Sequence, residues 1–179
     1  PAEWEKHAAT WLAWPHNEDD WPGKFEPIFW VYAEIIRHLT QYERVRLVVR
    51  NSREERSARD ILKRAGVTMT KLDIFSIATD RVWMRDSGPI FVKTALGGKV
   101  MIDWKFNAWA KYKNHLRDDK VPARIGGHLK YKRVQAMHKG KRVVLEGGAI
   151  DVNGKGTLIT TEECLLSNVQ ERNPGFTRK

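Results

Sequence analysis

One cysteine, Cys164, stands in 179 residues. An intramolecular disulfide is therefore excluded, as are zinc sites built on several thiolates. Acidic side chains are also in short supply: Asp and Glu number 22 against 32 Lys and Arg, a formal net charge of +10. No apolar stretch approaches the roughly 18 residues expected of a membrane-spanning helix. The opening residues, PAEWEKHAAT, show no basic segment followed by an apolar run, so no secretory signal is visible. The six histidines form no HxH or HxxxH spacing, which gives no support to a metal site. Neither GxGxxG nor a phosphate-loop motif occurs. The expectation is a soluble chain of a reducing compartment, the cytoplasm, with no metal and no membrane partner.

What is present supports a folded core. Hydrophobic residues make up 41% and charged residues 30%, suited to one domain or two small ones. The excess positive charge bears on association, not on fold. Its densest stretch, 111–142, carries Lys111, Lys113, Arg117, Lys120, Arg124, Lys130, Lys132, Arg133, Lys139, Lys141 and Arg142. Asp118 and Asp119 interrupt it, and the basic residues keep no single helical spacing. A solvated surface is the favoured reading. A non-catalytic basic binding module is the alternative from another class. Nucleic acid is disfavoured as a partner because base-stacking aromatics are not interleaved with the cations.

Along the chain, HAATWLAW at 7–14 reads as a short buried strand ending at Pro15, and 17–23 as a loop. Apolar residues at 25, 28, 29, 32, 35, 36 and 39 predict an amphipathic helix over 25–42. A valine-rich strand at 43–50 follows. Asn51 and Ser52 can cap a helix over 53–65, which Gly66 is placed to end. Strands are expected at 68–76, 89–95 and 99–106, with Gly97-Gly98 marking a hairpin. A helix is expected over 118–137. Further strands are expected at 141–146, 149–152 and 156–161, with Asn153-Gly154 as a turn. The tail from Ser167 is polar and shows no structural pattern. Helices interleave with strands, but several strand pairs are hairpins. That combination predicts a mixed α/β fold, not a doubly wound sheet.

Three loops carry candidate chemistry. In DRVWMRDSGP at 80–89, two carboxylates, two guanidiniums and Trp83 lie between predicted strands. A carboxylate beside a Trp face suits a cationic planar ligand, while an Asp–Arg network closing a turn explains the same residues. In VLEGG at 144–148, Glu146 ends an apolar strand and two glycines permit close approach of a substrate. A strand end with a bulge is the competing account. In FNAW at 106–109, Trp109 is a pocket wall or core filler, and Trp14 before Pro15-His16-Asn17 poses the same choice. Cys164 follows Glu162 and Glu163, which disfavour a thiolate, so it reads as structural.

Taken together, PAEWEKHAATWLAWPHN at 1–17, DRVWMRDSGPIFV at 80–92, FNAWAKY at 106–112 and LEGGAIDVNGKGTLITTEECLLS at 145–167 resemble the agmatine deiminase and bacterial-type peptidyl-arginine deiminase family. The resemblance covers essentially the whole chain. It implies a pentein-type α/β propeller of five ββαβ-like units, of which about two and a half are expected in residues 1–179, as the N-terminal portion of a single domain. It also implies hydrolysis of agmatine to N-carbamoylputrescine and ammonia, in polyamine biosynthesis and without a cofactor. Peptidyl-arginine is the alternative substrate. In such enzymes a cysteine attacks the guanidinium carbon, ammonia leaves, and water cleaves the covalent intermediate while a histidine shuttles protons. By motif, Asp86 is the implied guanidinium-binding aspartate and Trp83 a pocket wall. Glu146 is the implied acidic partner of substrate and histidine; Trp14 and Trp109 line the site less directly. The family's histidine and nucleophilic cysteine have no match in residues 1–179, so these residues alone are expected to be inactive. Self-association and a complementary partner subunit are also implied possibilities.

Overall fold

In a computed structural model, residues 1–177 are described, and they form two compact units: Lys6–Met84, and Arg85 onward together with Pro1–Glu5. No helix among the described residues is long and apolar enough to cross a membrane.

The Lys6–Met84 unit is a three-stranded parallel sheet in the order β1-β2-β3: Thr10–Ala13, Val45–Val49 and Leu72–Ser76. Parallel strands need crossovers, and two helices supply them: α1, Phe25–Tyr42, and α2, Ser52–Arg64. The helix periodicity in the sequence is fulfilled over the full length of α1. Asn51 caps α2 by accepting the Glu54 N–H at 3.0 Å, and Gly66, at φ +74°, turns the chain out of it. The core gathers Trp14, Ala33, Ile36, Leu47, Val49, Ala58, Leu62 and Leu72. β2 is the central strand and is buried almost throughout, which is why its sequence reads as a near-continuous apolar run.

The second unit contains a ββαβ run. Strands β4, Ile90–Lys93, and β5, Lys99–Asp103, form the hairpin announced by Gly97-Gly98, and Gly97 sits at φ +77°. Helix α3, Val121–Leu129, then leads to β6, Lys132–Gln135, which pairs parallel to β5. A Cβ on Gly126 would lie 2.7 Å from Met101 Cε, so this glycine brings α3 close to β5. The helix expected over 118–137 is shorter than its sequence suggests. Lys130 adopts φ +55°, its N–H closes on the Gly126 carbonyl at 2.9 Å, and the next residues join the sheet.

The basic stretch is in part tied down by a buried carboxylate. Buried Asp103 accepts from Arg133 at 2.6 Å and from Arg142 at 2.8 Å, and Arg142 also reaches Asp119 at 2.8 Å. Both cations pair with buried Asp103, Arg142 from a half-buried position and Arg133 from an exposed one.

Short strands β7, Met137–His138, and β8, Lys141–Arg142, pair antiparallel. So do β9, Ile150–Val152, and β10, Leu158–Thr160, across a turn with Gly154 at φ +70°. Asn153 Oδ1 fastens that turn by accepting the Lys155 and Thr157 N–H groups at 2.8 and 3.1 Å. Thr161 caps a short helix, Glu162–Leu166, through the Cys164 N–H at 3.2 Å. Beyond it, residues 169–176 are held by specific contacts, contrary to their featureless sequence.

Candidate active site

Asp86 lies on a single helical turn, Met84–Ser87. Gly88-Pro89 ends that turn, because the residue before proline is driven out of the helical region. The chain enters β4 at Ile90. Glu146 arrives on an extended segment that begins at Val143. There the Val143 carbonyl accepts the Lys105 N–H at 2.9 Å, and Val144 bridges parallel to Lys105. The backbone of Val144 has an unusual partner: its N–H and carbonyl both bond the Asn173 side chain, each at 2.8 Å. The amide of Asn173 thus replaces a neighbouring strand's peptide group. Glu146 follows, 1% exposed, and a tight turn over Gly147–Ala149 closes with the Ala149 N–H on the Glu146 carbonyl at 3.0 Å.

The two glycines bring the acidic segments together. A Cβ on Gly147 would lie 2.4 Å from the Arg85 carbonyl oxygen, and one on Gly148 would lie 2.3 Å from Asp86 Oδ1. Neither glycine has positive φ; space, not conformational freedom, demands them. With no side chain in the way, the Gly148 N–H donates to Asp86 Oδ1 at 3.1 Å.

Electrostatics follow from this packing. Burial raises the Asp86 pKa above the usual aspartate value, and the negative charge of Glu146 adds to the effect. The Gly148 hydrogen bond and the cations Arg85 and Arg172 oppose it without cancelling it. Arg85 also pairs with Glu3 at 2.7 Å. Arg172, 8% exposed, donates from Nε to Glu146 Oε1 at 3.2 Å. The local result is two carboxylates and one buried counter-cation. A net negative charge is left for a ligand to neutralise, suited to a monocationic, planar hydrogen-bond donor.

Of the residues singled out from the sequence, Asp86 and Glu146 are the two brought together. Trp109 sits in a turn whose three residues, Ala108, Trp109 and Ala110, all have left-handed φ of 50°, 60° and 54°. Its ring meets Phe106 and Tyr112 edge-on at 5.4 and 5.9 Å. Such a run of non-glycine residues is strained and fixes the indole's direction. Trp83 belongs to the Lys6–Met84 unit and is 44% exposed. Trp14 is 2% exposed within that unit's core, stacked on Phe29 at 5.6 Å with Tyr32 at 6.5 Å. It packs the sheet's interior. Two residues that sequence reasoning passed over, Arg172 and Asn173, hold the segment bearing Glu146. Their one signal is that two polar residues sit side by side before a proline in a stretch without periodicity.

The chain is similar to known proteins. The sequence profile of the Porphyromonas-type peptidyl-arginine deiminases matches residues 1–179. Agmatine deiminase of Ectopseudomonas mendocina is 36% identical over 184 aligned residues, covering 100% of this chain and 47% of that protein. The Pseudomonas aeruginosa agmatine deiminase is 37% identical, covering 97% of this chain and 45% of the relative. Among solved structures, agmatine deiminase of Enterococcus faecalis superposes with a TM-score of 0.82 at 29% identity, over 99% of this chain and 47% of that one. A putative arginine deiminase from Porphyromonas gingivalis gives a TM-score of 0.76 at 26% identity, over 99% and 50%. This chain spans about half the length of the curated relatives it matches. With a full-length profile match and relatives above 30% identity, the chain belongs to the Porphyromonas-type peptidyl-arginine deiminase family, which takes in the agmatine deiminases.

Proposed function

We propose that residues 1–179 are the N-terminal portion of one deiminase propeller domain and supply the guanidinium-binding carboxylates of a hydrolase. That hydrolase converts agmatine to N-carbamoylputrescine and ammonia in the cytoplasm, toward putrescine. The observation that carries this reading is the approach of Asp86 to the Glu146-Gly147-Gly148 turn, with one buried cation held on Glu146. A guanidinium is planar, permanently charged and a five-fold donor. Asp86 and Glu146 bind its N–H groups, orient its carbon toward a nucleophile and hold the positive charge there as the carbon becomes tetrahedral. Trp109 supports the pocket from further out.

Cys164 does not take the nucleophile's part. Its N–H is tied into a helix cap by Thr161, and Glu162 and Glu163 precede it, the reverse of the cationic setting a reactive thiolate needs. Attack by a cysteine thiolate forms a C–S bond and expels ammonia; water then releases the ureido product and regenerates the thiol. The thiol and the proton-shuttling imidazole are contributed by other residues of the complete enzyme. Peptidyl-arginine is the second reading, supported by the name of the matching family and by the Porphyromonas gingivalis neighbour.

The test is ammonia release by the complete protein carrying this chain. With agmatine, Asp86→Asn and Glu146→Gln should each lower kcat/KM by at least about a thousandfold, as for loss of a group acting on the reacting atoms. Variants retaining wild-type rates would sink the assignment. A higher kcat/KM for a blocked arginine peptide than for agmatine would select the second reading.

A further inference from the structure

The tail returns to the site in a way the family motifs do not explain. Arg172 and Asn173 are each 8% exposed, a rare degree of burial for such side chains. Arg172 is held from two directions: Nε donates to Glu146 Oε1 at 3.2 Å, and Nη1 donates to the Gln170 carbonyl at 2.7 Å. Asn173 locks the same turn onto Val144, two residues before Glu146, through paired 2.8 Å hydrogen bonds. The turn itself is braced by the Gly175 N–H on Glu171 Oε1 at 2.8 Å and the Phe176 N–H on the Asn173 carbonyl at 3.1 Å.

A buried acid, Glu146, and a half-buried one, Asp86, repel each other across the site, and that repulsion is largest before any cationic ligand arrives. Arg172 is the permanent cation built in against it. We infer that Arg172 is a positioning residue for the guanidinium site: it fixes one oxygen of Glu146 and offsets the repulsion between Glu146 and Asp86. The role rests on the proposed function, since it prepares the pair for a guanidinium.

Arg172 is not a stand-in for the substrate. Its Nη1 is committed to a backbone carbonyl, and its neighbour is clamped to a strand by two hydrogen bonds, so displacing it would dismantle the turn. Its contact with Glu146 is a single Nε edge, not the two-pronged grip by which a carboxylate receives a ligand guanidinium.

The groups facing Asp86 are the Gly148 N–H, Glu146, Arg85 and Arg172. Of the two cations, Arg172 is the buried one.

The first test is independent of catalysis: titration of the Asp86 carboxyl carbon by NMR in the complete protein carrying this chain. In Arg172→Gln its midpoint should move to higher pH, and in Arg172→Lys it should stay near wild type. In Asn173→Ala it should not move although the melting temperature falls, which separates charge from structural support. An unmoved midpoint in Arg172→Gln overturns the inference.

The second test uses the complete enzyme. Arg172→Gln should raise KM for agmatine at least about tenfold, and the acid limb of kcat/KM should shift upward by the displacement seen in NMR. A shifted NMR midpoint with unchanged KM and pH profile overturns the positioning role. A wild-type enzyme inert toward agmatine and arginine overturns the proposed function instead, whatever the titration shows. If Arg172→Gln does not fold, Arg172→Lys carries the test, since it keeps the charge but not the Nε contact. A raised KM with an unmoved Asp86 midpoint supports the inference, and an unchanged KM overturns it.

Discussion

Asp86 is held where its charge is costly, and this separates its use from the stability of the fold. Burial and the facing Glu146 raise its pKa above the ordinary 3.8. A carboxyl whose folded pKa exceeds its unfolded pKa favours folding at low pH, and that contribution is lost as pH rises through the folded value. At neutral pH the ionised Asp86 is therefore a liability to the apo fold. Asp86→Asn, which keeps an oxygen for the Gly148 N–H, should raise the melting temperature at pH 7 while abolishing turnover. The gain should vanish near pH 3. Calorimetry at the two pH values checks this, and an unchanged or lower melting temperature at pH 7 contradicts it. In the sequence Glu146 stands out because two glycines follow it, and Asp86 because it shares a charged loop with Trp83. Only the structure shows that the glycines serve to admit the other acid. Arg172 was not legible, because a long-range ion pair leaves no local periodicity.

At the scale of elements, helices and strands with clear periods lie where the sequence puts them, the strand expected over 141–146 shortens to Lys141–Arg142, and the largest misreading lies where two periods meet. Residues 118–137 join a turn, a helix and a strand, and the left-handed Lys130 marks the change in a sequence with no glycine at that point. The loops at the strand ends carry a second titratable device. His16, just past β1, bonds Thr79 Oγ1 at 2.9 Å beyond β3. Burial, reinforced by Arg50, lowers its pKa from 6.5 to about 4, while Glu54 and Asp80 oppose the shift. A histidine with a depressed folded pKa binds fewer protons folded than unfolded between those values. Stability is therefore lost as pH falls from about 6.5 toward about 4. His16→Gln should flatten that part of the stability profile relative to wild type, as read by urea melts at half-unit pH steps. Parallel profiles would show that His16 does not report its burial.

For the whole molecule, composition indicated a folded core, and motif order indicated the family. The two-unit division was not legible, because it depends on which contacts the chain makes and not on any linker-like stretch. Pro1–Glu5 belongs with the residues after Met84, an arrangement no local pattern announces. A site needing a thiolate, an imidazole and carboxylates at one carbon gives no partial turnover when only the carboxylates are present. The 179-residue chain should release no ammonia from agmatine, and a chloroacetamidine-type warhead should leave Cys164 unmodified. Ammonia release, or a mass shift on Cys164, would assign the nucleophile to this thiol after all.

The turn bearing Trp109 reverses an ordinary rule of protein engineering. Three residues in succession occupy the mirror-image helical region, where an L side chain costs roughly 1–2 kcal/mol each. Replacing alanine by glycine normally weakens a protein by loosening its unfolded chain. At exposed Ala110, where φ is 54°, the relief of strain should exceed that loss of about 0.4–1 kcal/mol. Ala110→Gly should therefore melt higher than wild type. A D-alanine placed there by chemical synthesis should melt higher still, because it adopts the reversed hand without enlarging the unfolded ensemble. The segment is one where changing the chirality of the chain, not its chemistry, is the stabilising move.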